Sequence, residues 1–382
     1  MCGFIGYISK NNAEARLPSA LELIKHRGPD AHKYIIYEQK DKYIGFAHAR
    51  LSIIDLTDAA IQPFESRCDQ YSIIFNGEIY NYQEIRQELK NLGIVFYTDS
   101  DTEVLLAAWQ KWGLEVLRKL IGMFAFAVLD KRANKVTLVR DAFGIKPFFY
   151  NFDNSDLFFG SDIRAVTSLI GKKSQPNLQK AYDYLVHGDY DSSEQSFIEG
   201  VKHLSPGHWL EYDLITGAIT QPTVWWKPDL SKTSSLSFQD AAQRTRELFL
   251  DSINYHLRSD VPLGAALSGG VDSSAVVCAM RTLDSTTEIH TFSYIADDEK
   301  LTEEKWVDGI TEYTHATAHK VYSSSKDMQT DLDHMLLMQG EPFGGTSIYA
   351  QYRVFKLAKE KGITVTLDGQ GADELLAGYS GY

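Results

Sequence analysis

The apolar pattern of the sequence changes once, at the polar, serine-rich stretch KPDLSKTSSLSF over residues 227–238. Strand-like runs dominate before this stretch, and strands alternate with helices after it, which indicates two domains of different class. The chain has 382 residues, more than one ordinary core accommodates. We therefore predict a first domain over 1–226, a linker over 227–237 and a second domain over 238–382.

The first half is rich in predicted strands. The strings YIGFAHARLSIIDL, YSIIFNGEIYNY and GIVFYT carry β-branched and aromatic residues and end at turn-formers, while GMFAFAVLD followed by KVTLVRDAF is typical of a hairpin. Apolar residues recur at helical spacing in YQEIRQELKNLG and DTEVLLAAWQKWG. Strand pairs with helices around them predict an α+β domain with sandwiched antiparallel sheets.

The second half alternates strand and helix. VPLGAALS is followed by VDSSAVVCAMRTL, EIHTFSYIA by EEKWVDGITEYT, and the helical SIYAQYRVFKLAKEKG precedes the strand ITVTLDG. This order predicts an α/β domain whose parallel sheet is covered by helices. The chain ends at the string ADELLAGYSGY, so we expect this domain to be truncated at its C-terminus.

Charge and cysteine content exclude several classes of partner. Lys and Arg number 38 against 51 Asp and Glu, and the net charge of −13 repels nucleic acid. No apolar run approaches the roughly 20 residues of a membrane span, and Glu14 and Arg16 interrupt any signal peptide. Cys2, Cys68 and Cys278 form neither a disulfide framework nor a zinc motif, which favours a reducing cytoplasm.

The string LSGGVDSS, residues 267–274, follows an apolar strand and opens a helix. Its glycines allow close approach of the backbone to a ligand, and the helix N–H groups with the Ser268, Ser273 and Ser274 hydroxyls can hold an anion. The loop lacks the Walker lysine. It resembles the S-G-G-x-D-S loop of ATP pyrophosphatases, which cleave ATP between the α- and β-phosphates. The alternative is an ordinary glycine-rich turn.

A second loop, LDGQGADELLAGY, also follows a predicted strand. Ligands of parallel sheets bind beyond the carboxyl ends of the strands, so we expect both loops to face one crevice. Asp272 and Asp373 are then candidate ligands for a Mg²⁺ ion that bridges the phosphates of ATP. The alternative for Asp373 is a helix N-cap before ELLAGY, and both roles are compatible.

Cys2 is the candidate nucleophile. If Met1 is removed, the thiol and a free α-amine share one residue, and the amine, with a pKa near 8, can take the thiol proton directly or through water. A lone early cysteine is more often a small buried hydrophobe, which is the alternative.

Three more stretches supply groups that match a free amino acid and a tetrahedral intermediate. Arg50 can clamp an α-carboxylate, Asn76 and Gly77 can donate to an oxyanion, and Asp101 can pair with an ammonium group. Each has an alternative: a surface ion pair for Arg50, a hairpin turn for Asn76 and Gly77, and a helix cap for Asp101.

With these residues identified, the chain resembles the glutamine-hydrolysing asparagine synthetases, which are class II amidotransferases. The match runs in order through MCGFIGYI, HRGPD, HARLSIIDL, FNGEIYNY, SDTEVLL, GMFAFAVLD, RDAFGIKPFFY, GSDIRAV, LSGGVDSS and DGQGADE. The resemblance implies an N-terminal-nucleophile αββα four-layer sandwich, followed by an ATP-pyrophosphatase domain.

The resemblance also implies roles for individual residues. Cys2 would attack the glutamine side-chain amide, with Asn76 and Gly77 as the oxyanion hole. The glutamine pocket would be lined by Arg50, Leu51, Ser52, Ile53, Ile54, Asn76, Gly77, Glu78 and Asp101. The nucleotide would be held, partly through backbone atoms, by Leu267, Ser268, Gly269, Gly270, Asp272, Ser273, Tyr294, Asp368 and Gly369.

The chemistry implied by the resemblance joins two reactions. Glutamine is hydrolysed, ATP with Mg²⁺ converts a carboxylate to an acyl-adenylate, and ammonia displaces AMP. Aspartate is the first expected acceptor, and a uronic or other sugar acid the second, because Gln370 stands where many asparagine synthetases have Glu and EPFGGTSIYAQY differs from their usual pattern. A stand-alone glutaminase and an ATP-driven cyclase are alternatives, although cyclases tend to lose the nucleophile. Dimers are common in the family, so a homodimer is compatible.

Overall fold

The computed structural model describes residues 2–296, 298 and 302–379. Contacts between residues divide the chain into two compact units. The first contains Met1–Ser231 with Gly340–Gly344, and the second contains Lys232–Gln339 with Gly345–Tyr382. The return of Gly340–Gly344 to the first unit was not predicted. Glu341 anchors this segment by accepting the N–H of Phe197 at 3.0 Å.

The first unit contains short strands, five α-helices among its described residues, and 3-10 turns at Glu14–Arg16, Lys25–Arg27, Asp58–Ala60 and Gly113–Arg118. Its strands are β1 (Gly3–Ser9), β2 (Ala31–Gln39), β3 (Lys42–Arg50), β4 (Phe64–Glu65), β5 (Tyr71–Ile79), β6 (Gly122–Asp130), β7 (Lys135–Arg140), β8 (Phe149–Asp153), β9 (Asp156–Gly160), β10 (Lys202–His203), β11 (His208–Asp213) and β12 (Thr223–Val224). Its helices are α1 (Leu17–Ile24), α2 (Tyr82–Asn91), α3 (Asp101–Trp112), α4 (Ile163–Ile170) and α5 (Leu178–His187).

These strands form two antiparallel six-stranded sheets that face each other. One sheet has the order β10-β8-β9-β1-β3-β2 and the other β12-β11-β7-β6-β5-β4. Phe4 and Phe46 of the first sheet belong to the same buried cluster as Ile74 and Ala127 of the second. Burial of apolar surface between the sheets therefore holds them together.

Helices cover the outer face of each sheet. Since side chains alternate along a strand, Ile5 and Tyr7 of β1 point away from the inner core and pack with Leu17 of α1. Phe75 of β5 packs in the same way with Val104 of α3. The order helix, sheet, sheet, helix confirms the predicted αββα four-layer sandwich.

The prediction of a strand at GIVFYT is wrong, because residues 93–98 are irregular. Gly93 turns the chain with a φ of +84° after α2. The N–H groups of Tyr97 and Thr98 then bond to the carboxylate of Glu103, at 3.1 and 2.8 Å, instead of to a neighbouring strand. The Glu103 side chain thus satisfies the backbone N–H groups that, on β-propensity alone, were expected to bond to a neighbouring strand.

No helix in the described part of the chain has the length and apolar character needed to cross a membrane.

The second unit has four strands: β13 (Leu263–Ala266), β14 (His290–Ile295), β15 (Thr317–Tyr322) and β16 (Val365–Leu367). They form a parallel sheet in the order β15-β14-β13-β16, as the alternating pattern predicted. The helices are α6 (Phe238–His256), α7 (Val271–Leu283), α8 (Glu304–Thr314), α9 (Ser325–Gln339), α10 (Ser347–Glu360) and α11 (Ala372–Leu376).

Candidate functional site

Cys2 lies at the start of β1, beside the end of β3. The antiparallel register pairs Gly3 with Ala49, which brings Cys2 next to the residues that follow β3. The Cys2 thiol donates to the carbonyl oxygen of Leu51 at 3.4 Å, and the Leu51 N–H donates to Sγ at 3.3 Å. Met1, whose removal the amine hypothesis requires, lies outside the described residues.

The thiol is in a low-dielectric environment that opposes ionisation. Burial raises the pKa of Cys2, while the positive charge of Lys146 acts in the opposite direction. Lys146 lies in the string RDAFGIKPFFY, for which no role of a single residue was predicted. A thiol with a raised pKa requires a nearby base before it becomes a nucleophile.

Arg27, also not singled out, holds the main chain of the nucleophile. It ends the 3-10 turn Lys25–Arg27, and its Nε donates to the carbonyl oxygen of Cys2 at 3.1 Å. A second guanidinium nitrogen of Arg27 is buried and has no hydrogen-bond partner among the described residues. The only sequence signal for this role was the string HRGPD.

Arg50 is buried and does not form the surface ion pair that was its alternative. Its guanidinium donates to the carbonyl oxygen of Asp55, and to that of Thr57 at 2.6 Å, so it shapes the loop that follows β3. The predicted pocket residues Leu51, Ser52, Ile53 and Ile54 lie in this loop. The Ser52 N–H is held by the carboxylate of Asp30 at 2.7 Å.

Asn76 and Gly77 lie inside β5, so the hairpin-turn alternative is wrong. The fully buried Asn76 has its Nδ2 atom 3.4 Å from the hydroxyl of Ser161, which bonds to Phe4 of β1. A Cβ atom on Gly77 would lie 2.1 Å from the carbonyl oxygen of Met123 on β6. Only glycine fits this position without movement of the backbone.

Asp101 is not the helix cap, because Ser100 caps α3 by accepting the N–H of Thr102. The Asp101 carboxylate instead accepts the N–H of Ile79, at the end of β5, at 3.0 Å. Burial raises the pKa of Asp101 to about 7, and the negative charge of Glu78 adds to this effect. The carboxylate is therefore poorly solvated and suited to pair with a cation.

Glu78 and Lys146 place two further buried charges in this region. Burial raises the pKa of Glu78, and the charge of Lys146 opposes that shift. Burial likewise lowers the pKa of Lys146 to about 8, against the charge of Glu78. The main-chain N–H of Lys146 donates to Asp141 at 2.9 Å, which fixes the loop that carries it. Opposite charges in one apolar region favour each other's ionised form.

In the second unit, LSGGVDSS lies between β13 and α7. Leu267 is buried, its N–H donates to Phe292 at 2.9 Å, and its carbonyl oxygen accepts the hydroxyl of Ser293, so both of its backbone groups bond to β14. Gly269 has a φ of +95°, which favours glycine. Tyr294, on β14, packs against the small cluster around Phe292.

The serine hydroxyls organise the loop. The Ser268 N–H donates to the Ser273 hydroxyl at 3.2 Å, the two hydroxyl oxygens lie 3.0 Å apart, and the Gly270 N–H donates to Ser268 at 3.2 Å. Gly270 occupies the N-cap of α7 and supplies no side-chain cap. The N–H groups at the start of α7 are thus available to an anion.

The loop after β16 contacts the start of α7, in agreement with the expectation that the two loops face one crevice. A Cβ atom on Gly369 would lie 3.0 Å from Cβ of Asp272 and 3.0 Å from the N atom of Ser273. The Asp368 carboxylate accepts the N–H of Gln370 at 3.1 Å, and Gln370 is exposed. The two glycine-containing loops therefore form one surface beyond the carboxyl ends of the strands.

Asp373 lies inside α11, whose N-cap is Gly371, so the N-cap alternative for Asp373 is wrong. The described residues contain no group of three or more His, Cys, Asp or Glu side chains arranged to hold a metal. Mg²⁺ in nucleotide sites keeps several waters and takes one or two carboxylates together with the phosphates. The carboxylate oxygens of Asp272 and Asp373 are the kind of ligand that a Mg²⁺ ion bound to ATP accepts.

Residues 1–226 match the family described as Glutamine amidotransferase domain, and residues 244–382 match Asparagine synthase. A solved structure described as the allosteric regulatory enzyme of purine biosynthesis aligns with a TM-score of 0.46 and 13% identity over 96% of this chain and 89% of that one. At that level the overlap supports no functional inference.

Curated relatives match almost the whole chain. A putative asparagine synthetase (glutamine-hydrolysing) 2 of Methanocaldococcus jannaschii is 32% identical over 99% of this chain and 76% of that protein. Asparagine synthetase (glutamine-hydrolysing) 1 of Bacillus subtilis is 34% identical over 100% of this chain, which spans only 59% of that protein. The chain belongs to the family of glutamine-hydrolysing asparagine synthetases, which are carbon–nitrogen ligases.

Proposed function

We propose that this chain hydrolyses glutamine at Cys2 and transfers the ammonia to a carboxylate that ATP has activated, with aspartate as the acceptor. Asparagine, glutamate, AMP and pyrophosphate would be the products. The observation that carries this proposal is the proximity of three side chains: the charge of Asp101 acts on the thiol of Cys2, and Ser161 links the amide of Asn76 to the N–H of Phe4, two residues after Cys2. Their side chains offer a nucleophile, an oxyanion donor and a partner for an ammonium group.

In the glutaminase step, Sγ of Cys2 bonds to the side-chain amide carbon of glutamine while the thiol proton passes to the α-amine of trimmed Cys2. The carbonyl electron pair moves onto the oxygen, where Asn76 and Gly77 donate hydrogen bonds. When that pair returns, the carbon–nitrogen bond breaks and the nitrogen leaves as ammonia with the proton from the amine. Water then hydrolyses the thioester and releases glutamate.

In the synthetase step, the loop at Ser268–Ser273 would hold the β- and γ-phosphates of ATP through its N–H groups and hydroxyls. The acceptor carboxylate attacks the α-phosphorus, and pyrophosphate leaves. Asp272 and Asp373 would hold Mg²⁺, which neutralises phosphate charge when bound. Ammonia then attacks the acyl carbon and AMP departs. Exclusion of water protects both the acyl-adenylate and unprotonated ammonia.

A sugar acid is the second candidate acceptor, and Gln370 is the observation that favours it. A carboxylate at this position can take a proton, whereas the neutral amide of Gln370 cannot. The names of the relatives support aspartate. The two candidates share every step except the identity of the carboxylate.

The test incubates the chain with glutamine and ATP, together with aspartate or with a uronic acid. Glutamate, AMP and pyrophosphate are measured. We expect pyrophosphate release with aspartate. Release with the uronic acid alone would show that the acceptor is a sugar acid and not aspartate. Glutamate without any stimulation by ATP or acid indicates a stand-alone glutaminase. Cys2→Ala is the matched control, because it should abolish glutamine-dependent turnover and preserve ammonia-dependent synthesis.

A further inference from the structure

The side-chain amide of Asn76 is left incompletely bonded in a fully buried position. Its Oδ1 atom is buried and has no hydrogen-bond partner among the described residues. Its Nδ2 atom donates to the hydroxyl oxygen of Ser161 over a long 3.4 Å. A buried amide oxygen without a donor destabilises the folded state, so this arrangement requires an explanation.

Ser161 links this amide to β1. It follows β9 and is buried; its N–H donates to the carbonyl oxygen of Phe4 at 2.9 Å, and its Oγ accepts the N–H of Phe4 at 3.2 Å. With Asn76 donating as well, Oγ receives two N–H donors. Its own proton then has no acceptor among the described residues. Within residues 2–296, 298 and 302–379, both the hydroxyl proton of Ser161 and the Oδ1 atom of Asn76 are thus without a hydrogen-bond partner.

A half-turn of the Asn76 amide about its terminal bond gives Oδ1 and the Ser161 proton each other as partners and leaves the NH₂ group of Asn76 as the unpaired donor. The two atoms exchange places, so the Ser161 hydroxyl donates to Oδ1 and continues to accept the N–H of Phe4. The Nδ2 atom then points where Oδ1 pointed before. Because an oxyanion is stabilised by a donor and repelled by an acceptor, the direction of this amide decides whether Asn76 can assist glutamine hydrolysis.

We propose that Ser161 is a positioning residue that holds the Asn76 amide with its NH₂ group toward the substrate carbonyl. This inference rests on the proposed glutaminase function. Ser161 touches no reacting atom and acts through Asn76. Since the oxyanion exists only after Sγ has attacked, the interaction stabilises the transition state more than bound glutamine.

The test measures steady-state glutamine hydrolysis by Ser161→Ala. We expect kcat to fall about tenfold, less than the roughly hundredfold loss on removal of an oxyanion donor, because the amide becomes free to adopt either direction. KM for glutamine should change by less than about twofold, since ground-state binding is not altered. Ser161→Cys, with a weaker donor, should have an intermediate kcat and covers the case in which the alanine variant does not fold.

A double-mutant cycle separates positioning from general packing. In an Asn76→Ala background, Ser161→Ala should cause no further loss of kcat, because the amide it orients is gone. Ser196→Ala is the matched control. Its buried hydroxyl also bonds to backbone, at 3.0 Å to Ile198 and 2.8 Å to Val201, and its removal should leave kcat unchanged.

Equal fractional losses in both backgrounds, or an unchanged kcat in Ser161→Ala, would overturn the inference while leaving the glutaminase proposal intact. A wild-type chain that releases no glutamate would overturn both. A loss confined to the background with Asn76 supports the positioning role.

Discussion

The thiol of Cys2 and the backbone of Leu51 exchange two hydrogen bonds, one in each direction, at 3.4 and 3.3 Å. These bonds hold the partly buried sulfur against the loop after β3. Cys68 contrasts with it, because its thiol is exposed and lies 3.3 Å from the hydroxyl of Ser66. The thiols of Cys2 and Cys68 should therefore react in a different order with a general alkylating reagent than with a reagent that resembles glutamine.

Iodoacetamide should modify Cys68 before Cys2, because the Ser66 hydroxyl lowers the pKa of Cys68 and burial raises that of Cys2. A chloroketone analogue of glutamine should show the reverse order, since binding delivers it to the nucleophile. Intact mass with peptide mapping measures both. The Cys68→Ser variant should still take up one equivalent of the analogue, and labelling by the analogue at Cys68 alone would contradict the assignment.

Glutamine hydrolysis should weaken as pH falls through about 7, the pKa to which burial raises Asp101. Below that pH the carboxyl is protonated and neutral, so it cannot pair with the substrate ammonium, and KM rises. Asp101→Asn should raise KM about tenfold or more at pH 8, as expected for loss of a hydrogen bond to a charged group. The amide oxygen still accepts the N–H of Ile79. If the Asp101→Asn variant still lost activity as pH falls through about 7, Asp101 would be excluded as the cause of that loss.

Gly77→Ala should abolish glutamine hydrolysis and destabilise the first unit by about 1–3 kcal/mol, the usual cost of forcing atoms into a packed site. The added Cβ would meet Met123 at 2.1 Å and Phe124 at 2.7 Å. Thermal denaturation and glutamate release measure the two effects. Gly309→Ala is the control, because its Cβ would meet nothing within 4 Å in α8, and it should be neutral or stabilising. Wild-type turnover in Gly77→Ala would show that β5 accommodates the methyl group.

Gly369→Ala should weaken binding of ATP several-fold, because its Cβ would press on Asp272 and Ser273 at the start of α7. Calorimetric titration with MgATP checks this effect on the dissociation constant. Hydrolysis of glutamine without ATP should not change, since the substitution lies in the second unit. An unaltered dissociation constant would mean that the nucleotide does not depend on contact between the two loops.

Asp331→Ala should destabilise the second unit by about 1–2 kcal/mol, because the buried carboxylate loses hydrogen bonds to two cations that are themselves partly exposed to solvent. Asp331 is 4% exposed and accepts hydrogen bonds from Arg353 and Lys356, both at 2.8 Å. Denaturant unfolding measures the free-energy change. Asp333→Ala, at an exposed position of the same helix, should have less than about 0.5 kcal/mol effect. Similar values for the two variants would exclude a stabilising role for the ion pairs.

Local pattern was sufficient for much of the fold. The helical spacing in α2 and α3, and the β-branched and aromatic residues of β3 and β5, are properties of neighbours in sequence, so these elements were predictable. The motif residues could also be named, because the chemistry of a thiol, an amide or a glycine-rich loop is a property of the residue types. The strand expected at GIVFYT failed because the side chain of Glu103 satisfied its backbone donors.

For residues that had two plausible roles, only the tertiary structure decided which role each one has. The sequence permitted Asp101 to cap α3, but Ser100 occupies the cap and Asp101 turns to Ile79. It likewise permitted a turn at Asn76, which lies within β5. These choices depend on which strand lies alongside, and that information is not local.

The sequence by itself determined the two classes of domain, the candidate nucleophile and the two loops for an anion. The tertiary structure decided the supporting residues: Arg27 on the carbonyl of Cys2, and Ser161 beside Asn76, 85 positions away in the chain. The physical reason is that strand register sets these contacts. Register depends on burial of both faces of a whole sheet, which no short stretch of sequence contains.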